Sequence, residues 1–323
     1  MSALLGLDPE TYQPHRLHSP ERQFPETNCY TDLWIELLHA QGFEPLAMLA
    51  FCVSVDFEGD QWTFFKPPPE DLARLYGLEV QEFVVYRSLP EHIVEQLELG
   101  RTVIVEADAF YLPDTAGRSY REQHEKSSVA VESIDVEHER MRYFHNQGYY
   151  EVAGDDYRNA LRVGRQFSVD VLPPYIEFVR GDRLSSCPAD ELRTVAAELL
   201  DVQVARIPKQ NPVSRFGVRL VDDLPHLLED EPAYHLYAFA TVRQCGAAWD
   251  AASAFLGWLA NGEDETVARA ADLFASLAGA AKTLLFKLAR ASATGKPLDP
   301  APAIGEMAAT WDEAMRHLGS RRA

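Results

Sequence analysis

The sequence predicts an α+β fold with a C-terminal helical bundle, on three observations. An amphipathic helix opens near Cys29, the hydrophobic period changes to two over residues 101–152, and beyond about residue 185 the strand pattern gives way to helical spacing. Two domains are expected from that change, 1–185 with an irregular N-terminal arm and 186–323 built of helices.

Residues 1–27 are rich in Pro and His and read as an irregular arm. His15 and His18 in "HRLH" have the spacing of one helical turn, but no further ligands lie nearby and no metal site is expected. The first helix runs from Cys29 to Ala40. Leu33, Trp34, Leu37 and Leu38 share a face, Asn28 or Thr27 caps the start, Asp32 suits the first turn, and Gly42 ends it. "AMLAFCVSVDF" is a β-like or mixed apolar run, and "DQWTFFKPPPEDLARLYGL" brings three prolines and a short helix. "EFVVYRSL" reads as a strand and "PEHIVEQLELG" as a helix closed by Gly100.

Strands are then expected at 101–112, 127–136 and 139–152, each alternating in hydrophobicity, the last two joined by a short polar turn. The remaining segments, from "DELRTVAAELLDVQVARI" to "PAIGEMAATWDEAMRHLG", keep helical spacing. Gly262 and Gly295 close two of the helices, and Pro297, Pro300 and Pro302 mark a linker.

Composition narrows the function classes. The 323 residues are 46% hydrophobic and 25% charged, and no run of about 18 apolar residues suggests a membrane span. The start "MSALLGLDPETYQPH" lacks the basic and apolar regions of a secretory signal, so a cytoplasmic location is expected. Cys29, Cys52, Cys187 and Cys245 form no CxxC pair, which argues against disulfides and thiolate zinc, and the last three sit in apolar or bundle contexts. A net charge of −20 argues against nucleic acid and anionic membranes as partners. No P-loop, GxGxxG or HExxH motif is present.

Cys29 is the candidate nucleophile, because unpaired N–H groups and the dipole at a helix start favour a thiolate. Asp32 would oppose this if it pointed at the sulfur. The base is expected from a neighbouring strand, and His124 lies just before "SSVAVESID". The orienting group is expected as Asn146 in "YFHNQGYY", with His145 beside it as an alternative base. A Cys…His…Asn order on a helix followed by a sheet is the arrangement of papain-like enzymes.

The blocks "PETNCYTDLWIELLHAQGFEP", "DFEGDQWTFFK", "EADAFYLPDTAGRSYREQHEKSS" and "YFHNQGYYEV" resemble the signature blocks of a bacterial family, domain of unknown function 1839, densely over residues 13–180 and loosely beyond. That family more distantly resembles the papain-like N-terminal domain of the butirosin-biosynthesis acyltransferase. The resemblance implies transfer of an aminoacyl group from a carrier-protein thioester to an amine. It places Cys29, Asp108 with Leu112-Pro113, His124 and Asn146 at the matching positions. Ser127 departs from the pattern, because a second histidine often follows three residues after the first.

Asn28 or Gln61 would supply a side-chain N–H to the oxyanion beside the backbone N–H of Cys29, and Trp62 would line the cleft or join Phe64 and Phe65 in the core. Lys66 and Lys126 would grip a carboxylate or a pantetheine phosphate. Asp108 and Tyr111 would recognise a substrate amine or hydroxyl, with a turn cap the alternative for Asp108. Three functions are consistent with these residues: a cysteine acyltransferase, a thiol peptidase or amidase resolved by water, and a non-catalytic papain-like binding module. The only cofactor implied is a phosphopantetheine arm on an acyl or aminoacyl carrier protein. Such a partner is itself acidic and would need a basic face, for which Lys209, Arg215 and Arg219 in "PKQNPVSRFGVR" are the candidates.

Overall fold

Asn28 ends an extended stretch, and its side-chain Oδ1 accepts from the N–H of Thr31 at 3.0 Å. That bond satisfies one of the donors every helix start leaves open, and α1 (Cys29–Ala40) begins there. Leu33, Trp34, Leu37 and Leu38 are fully buried, as the spacing predicts. The computed structural model of the chain describes residues 2–165, 172–183 and 188–320, so Cys187 lies outside the described residues.

The fold separates into two units. The first comprises Met1–His18, Asn28–Pro45 and Pro68–Cys187, and the second Ser19–Thr27, Leu46–Pro67 and Pro188–Ala323. Segments 19–27 and 46–67, which the sequence reading assigned to the N-terminal domain, thus group with the helical unit.

The first unit is α+β. Its described strands are β1 (Ser2–Ala3), β2 (Glu79–Glu82), β3 (Thr102–Asp108), β4 (Lys126–Asp135), β5 (Arg140–His145), β6 (Gly148–Ala153) and β7 (Ile176–Arg180). They form one antiparallel sheet in the order β2-β7-β3-β4-β5-β6, with β1 against β4. Helices α2 (Pro69–Tyr76), α3 (Leu89–Glu98) and α4 (Gly154–Ala160) complete the unit. Leu89, Ile93 and Leu97 of α3 pack with Val103, Val105, Val129, Val131, Met141, Tyr143 and Val152 on one face of the sheet. The next residue along β3, Ile104, pairs with Glu177 and therefore faces the other way. Tyr30 of α1 donates to Glu177 Oε2 at 2.7 Å, which puts α1 on that opposite face.

Several expectations are corrected here. The apolar run at 47–57 is mostly a buried 3-10 helix, Pro45–Ser54, because a wholly apolar segment carries no alternation to identify a strand. The strand expected at 82–89 lies earlier, as β2, and Val84 and Tyr86 are each 80% exposed. The strand expected at 139–152 is a hairpin: Asn146 adopts φ 46°, and with Gln147 it turns the chain so that His145 pairs with Gly148. The short strand β7 and helix α4 escaped sequence reading, although β7 sits inside the sheet between β2 and β3.

The second unit holds α5 (Ala189–Arg206), α6 (Pro212–Glu229), α7 (Glu231–Ala238), a π-helical turn at Phe239–Arg243, α8 (Gln244–Ala260), α9 (Glu265–Thr294) and α10 (Ala301–Ser320). Asn211 and Asp264 cap α6 and α9 through their side chains. Gly295, at φ 62°, ends α9 as expected, whereas the left-handed residue ending α8 is Asn261, one before Gly262. A Cβ at Gly246 would lie 2.5 Å from the Phe24 ring and 3.0 Å from Ala281, so α8 passes its neighbours too closely for a side chain there. Among the described residues no helix is long and apolar enough to cross a membrane.

Candidate active site

Cys29 is the first residue of α1 and is half-buried, so its thiol is neither sealed nor fully solvated. Asp32, one turn on, does not lack a counter-charge. His18 from the N-terminal arm sits buried between Asp32, 3.4 Å from its Nε2, and Glu36, which bonds its Nδ1. Burial lowers the His18 pKa, but the hydrogen bonds and charges of the two carboxylates outweigh it and raise the value to about 9. An imidazolium therefore balances Asp32 at neutral pH. Glu36 also accepts from the Tyr12 hydroxyl and from the backbone N–H of His15 at 3.0 Å, so the arm is tied to α1. "HRLH" is thus a clamp on the helix that carries the thiol.

His124 is open to solvent, its side chain 67% exposed, and its Nδ1 lies 2.6 Å from Asp108 Oδ2. The imidazole stacks on Phe110 with ring centroids 4.4 Å apart, and Tyr111 lies beside it at 6.1 Å. Asp108 Oδ1 accepts from the N–H groups of Phe110, at 3.1 Å, and Glu125, at 3.3 Å. The carboxylate therefore caps the turn after β3, as the alternative reading of Asp108 expected, and also holds the imidazole. Among the described residues His124 Nε2 carries no hydrogen bond, so with Nδ1 as donor to Asp108 it is left as the basic nitrogen.

Strand alternation decides which groups share a face. Ile104, Glu106 and Asp108 alternate with Val103, Val105 and Ala107, which puts Glu106 and Asp108 on the face covered by α1. Lys126 pairs directly opposite Asp108 and binds Glu106 Oε1 at 2.7 Å. Its ammonium is thus partnered by a carboxylate of this chain. Glu177, on the same face, accepts from both Tyr30 and Tyr175, and burial beside that carboxylate raises the pKa of Tyr30.

Asn146 is not the orienter of His124. It occupies the β5–β6 turn, where its left-handed backbone is what an Asn tolerates, and no hydrogen bond joins it to His124. His145 is not an alternative base for Cys29 either. It is 1% exposed and both nitrogens are engaged, Nδ1 with Asp114 Oδ2 at 2.5 Å and Nε2 with Ser127 Oγ at 2.6 Å. Asn28 uses its side-chain oxygen on the helix cap.

Gln61, Trp62 and Lys66 belong to the second unit. Trp62 is core there, packed against Phe57, Phe216 and Trp249, and is corrected from a cleft-lining residue. Phe65 is core, while Phe64 is exposed. Gln61 sits in the exposed turn closed by the Phe57–Trp62 bridge, and Lys66 is exposed. The basic stretch expected to meet an acidic partner is largely spent internally. Arg215 binds Asp56 and the carbonyl of Phe57, and Arg219 binds Asp223 at 2.7 Å. Cys52 and Cys245 are fully buried, and burial pushes both thiols up, away from reactivity.

No hydrogen bond joins Cys29 to His124 among the described residues. What the first unit brings together is the dyad His124–Asp108 on the face that α1 covers, with Phe110 as platform. Phe110 was missed because an aromatic after a strand reads as core; its place immediately between Asp108 and Tyr111 in "DAFYLP" was the available signal.

The family model described as the DUF1839 N-terminal domain matches residues 13–181, and that described as the DUF1839 C-terminal domain matches 189–320. No curated protein matches the chain.

Proposed function

The chain belongs to the DUF1839 family, and from that premise and the geometry of its first unit we propose that it is a papain-like cysteine acyltransferase. Cys29 is the nucleophile, His124 the base and Asp108, in place of the expected Asn146, the orienting group. The observation that carries this reading is the exposed imidazole held through Nδ1 by a carboxylate, with Nε2 unspent, on the sheet face beneath the helix that Cys29 opens.

In the proposed reaction His124 Nε2 takes the thiol proton, and the Cys29 thiolate attacks the carbonyl of an acyl or aminoacyl thioester. The tetrahedral intermediate collapses, the donor's sulfur leaves with the proton from His124, and a Cys29 thioester remains. An amine then attacks that carbonyl, His124 takes the amine proton, the C–S bond to Cys29 breaks, and His124 returns that proton to the Cys29 sulfur, restoring the thiol and the neutral imidazole. Asp108 keeps the base in the Nδ1–H tautomer and stabilises the imidazolium formed in each half. The backbone N–H groups at the start of α1 are the oxyanion donors available to this thiol. His18 offsets the charge of Asp32 in the first turn of the helix that Cys29 opens.

Product analysis tests the reading. With an acyl thioester donor, whether free or on a carrier protein, and an added amine, amide is expected from the native chain and none from Cys29→Ala. Free acid in place of amide would make the protein a thiol hydrolase. The missing Cys29–His124 hydrogen bond favours a second reading, a papain-like binding module. Alkylation of Cys29 by iodoacetamide no faster than a free cysteine would support it.

A further inference from the structure

The connection from β3 to β4, residues 109–125, carries His124 near its far end, and most of its ties are internal. Thr115 Oγ1 donates to the carbonyls of Ala109 and Leu112, both at 2.9 Å, and Ser119 Oγ donates to Glu125 Oε2 at 2.6 Å. Tyr120 and Arg121 reach Asp156 on α4, at 2.8 and 2.5 Å. Asp108 of β3 holds both ends of the connection, through the N–H groups of Phe110 and Glu125 and through His124, and a second, buried set of bonds ties its middle to β5. The Asp114 side chain is 2% exposed and both its oxygens are taken, Oδ1 by the Tyr143 hydroxyl at 2.5 Å and Oδ2 by His145 Nδ1 at 2.5 Å. The other nitrogen of His145 meets Ser127 Oγ at 2.6 Å. Ser127 is the second residue of β4, three beyond His124.

His145 therefore grips the His124 connection from within, at Asp114, and also grips the strand it runs into, at Ser127. Ser127, Val129 and Val131 share the face covered by α3, as do Met141, Tyr143 and His145, so this grip lies on the side of the sheet away from Asp108. Its three polar groups are buried and mutually satisfied, which makes the arrangement costly to change in part.

We infer that His145 is a positioning residue for the base: the buried chain Asp114–His145–Ser127 fixes the 109–125 connection so that His124 stays within hydrogen-bond reach of Asp108. The inference deepens the proposed function and rests on His124 being the base. Ser127 has the spacing to histidine and acid of a hydrolytic serine, but it is buried on β4, where it pairs with Ala107 of β3.

The test is nitrogen-15 NMR of ring-labelled histidine in the full-length chain. The native protein is expected to show His124 mainly as the Nδ1–H tautomer. In His145→Gln and Asp114→Asn that preference is expected to be lost, with the resonances of β5 and β6 retained. Ser127→Ala, which leaves the Asp114–His145 bond in place, is the milder variant should the others not fold, and a smaller loss in the same direction is expected. An unchanged His124 tautomer in any folded variant of the three overturns the inference. So does covalent labelling of Ser127 by a fluorophosphonate, which would make it a nucleophile. Because the readout is a ring nitrogen and not turnover, a Cys29 that never becomes acylated would sink the proposed function and leave this result standing.

Discussion

At the scale of single residues, position in the protonation scheme separates groups that look equivalent in the sequence. His18, His124 and His145 each contact a carboxylate, yet one is a buried cation, one an exposed imidazole with a ring nitrogen unspent, and one a fixed link. The His18 pKa is raised above its unfolded value, so its stabilisation is complete below about 6.5 and is lost as pH rises through about 9. The shift corresponds to a contribution of order 3 kcal/mol. Urea unfolding at pH 7 and pH 10 is expected to show that loss in the native chain and much less of it in His18→Gln; equal pH sensitivity in both would refute the assignment. The second residue-scale prediction concerns the orienter. Asp108→Asn is expected to slow Cys29 acylation by about 10²-fold or more, whereas Asn146→Gly leaves it unchanged. Sequence order offered Cys29 and His124 as candidates because a thiol at a helix start and a histidine before a strand are local patterns, and the structure keeps the first at the start of α1 and the second beside Asp108. It pointed to Asn146 wrongly, because an asparagine at a two-residue turn and one beside an imidazole look alike until the backbone angle is known.

At the scale of elements, the cap decides where the candidate nucleophile stands. Asn28→Ala is expected to destabilise the protein by about 1 kcal/mol, with Asn28→Ser recovering most of it, measured by thermal or urea unfolding. A cap variant as stable as the native chain would mean that α1 is held by its buried face alone. Helix α1 was legible from Leu33, Trp34, Leu37 and Leu38, and the sheet from the alternation in "RTVIVEADAF" and "SSVAVESIDV". Less legible was β7, where "IEFVR" is short and buried on most positions, so its alternation does not rise above that of a loop. The buried 3-10 helix at Pro45–Ser54 was hidden for the same reason: a uniformly apolar run has no period.

At the scale of the whole chain, sequence order and packing disagree about where one unit stops. The composition change near residue 185 marks where strands give way to helices, but segment 46–67 packs with the helical unit. There Trp62 meets Trp249 and Phe216, Ser54 binds Gln203 at 2.7 Å, and Asp56 binds Arg215. A fragment starting at Pro188 therefore lacks part of its own core. It is expected to melt without cooperativity and to bind a hydrophobic dye; a sharp calorimetric transition from that fragment would contradict the division. The central claim, however, concerns one sulfur and one imidazole, and single-turnover mass spectrometry addresses it most directly. With an acyl thioester donor, the native chain is expected to gain one acyl group on Cys29, His124→Ala to gain it at least about 10²-fold more slowly, and Cys29→Ala to gain none. Acylation of Cys29 at the same rate with and without His124 would contradict the account.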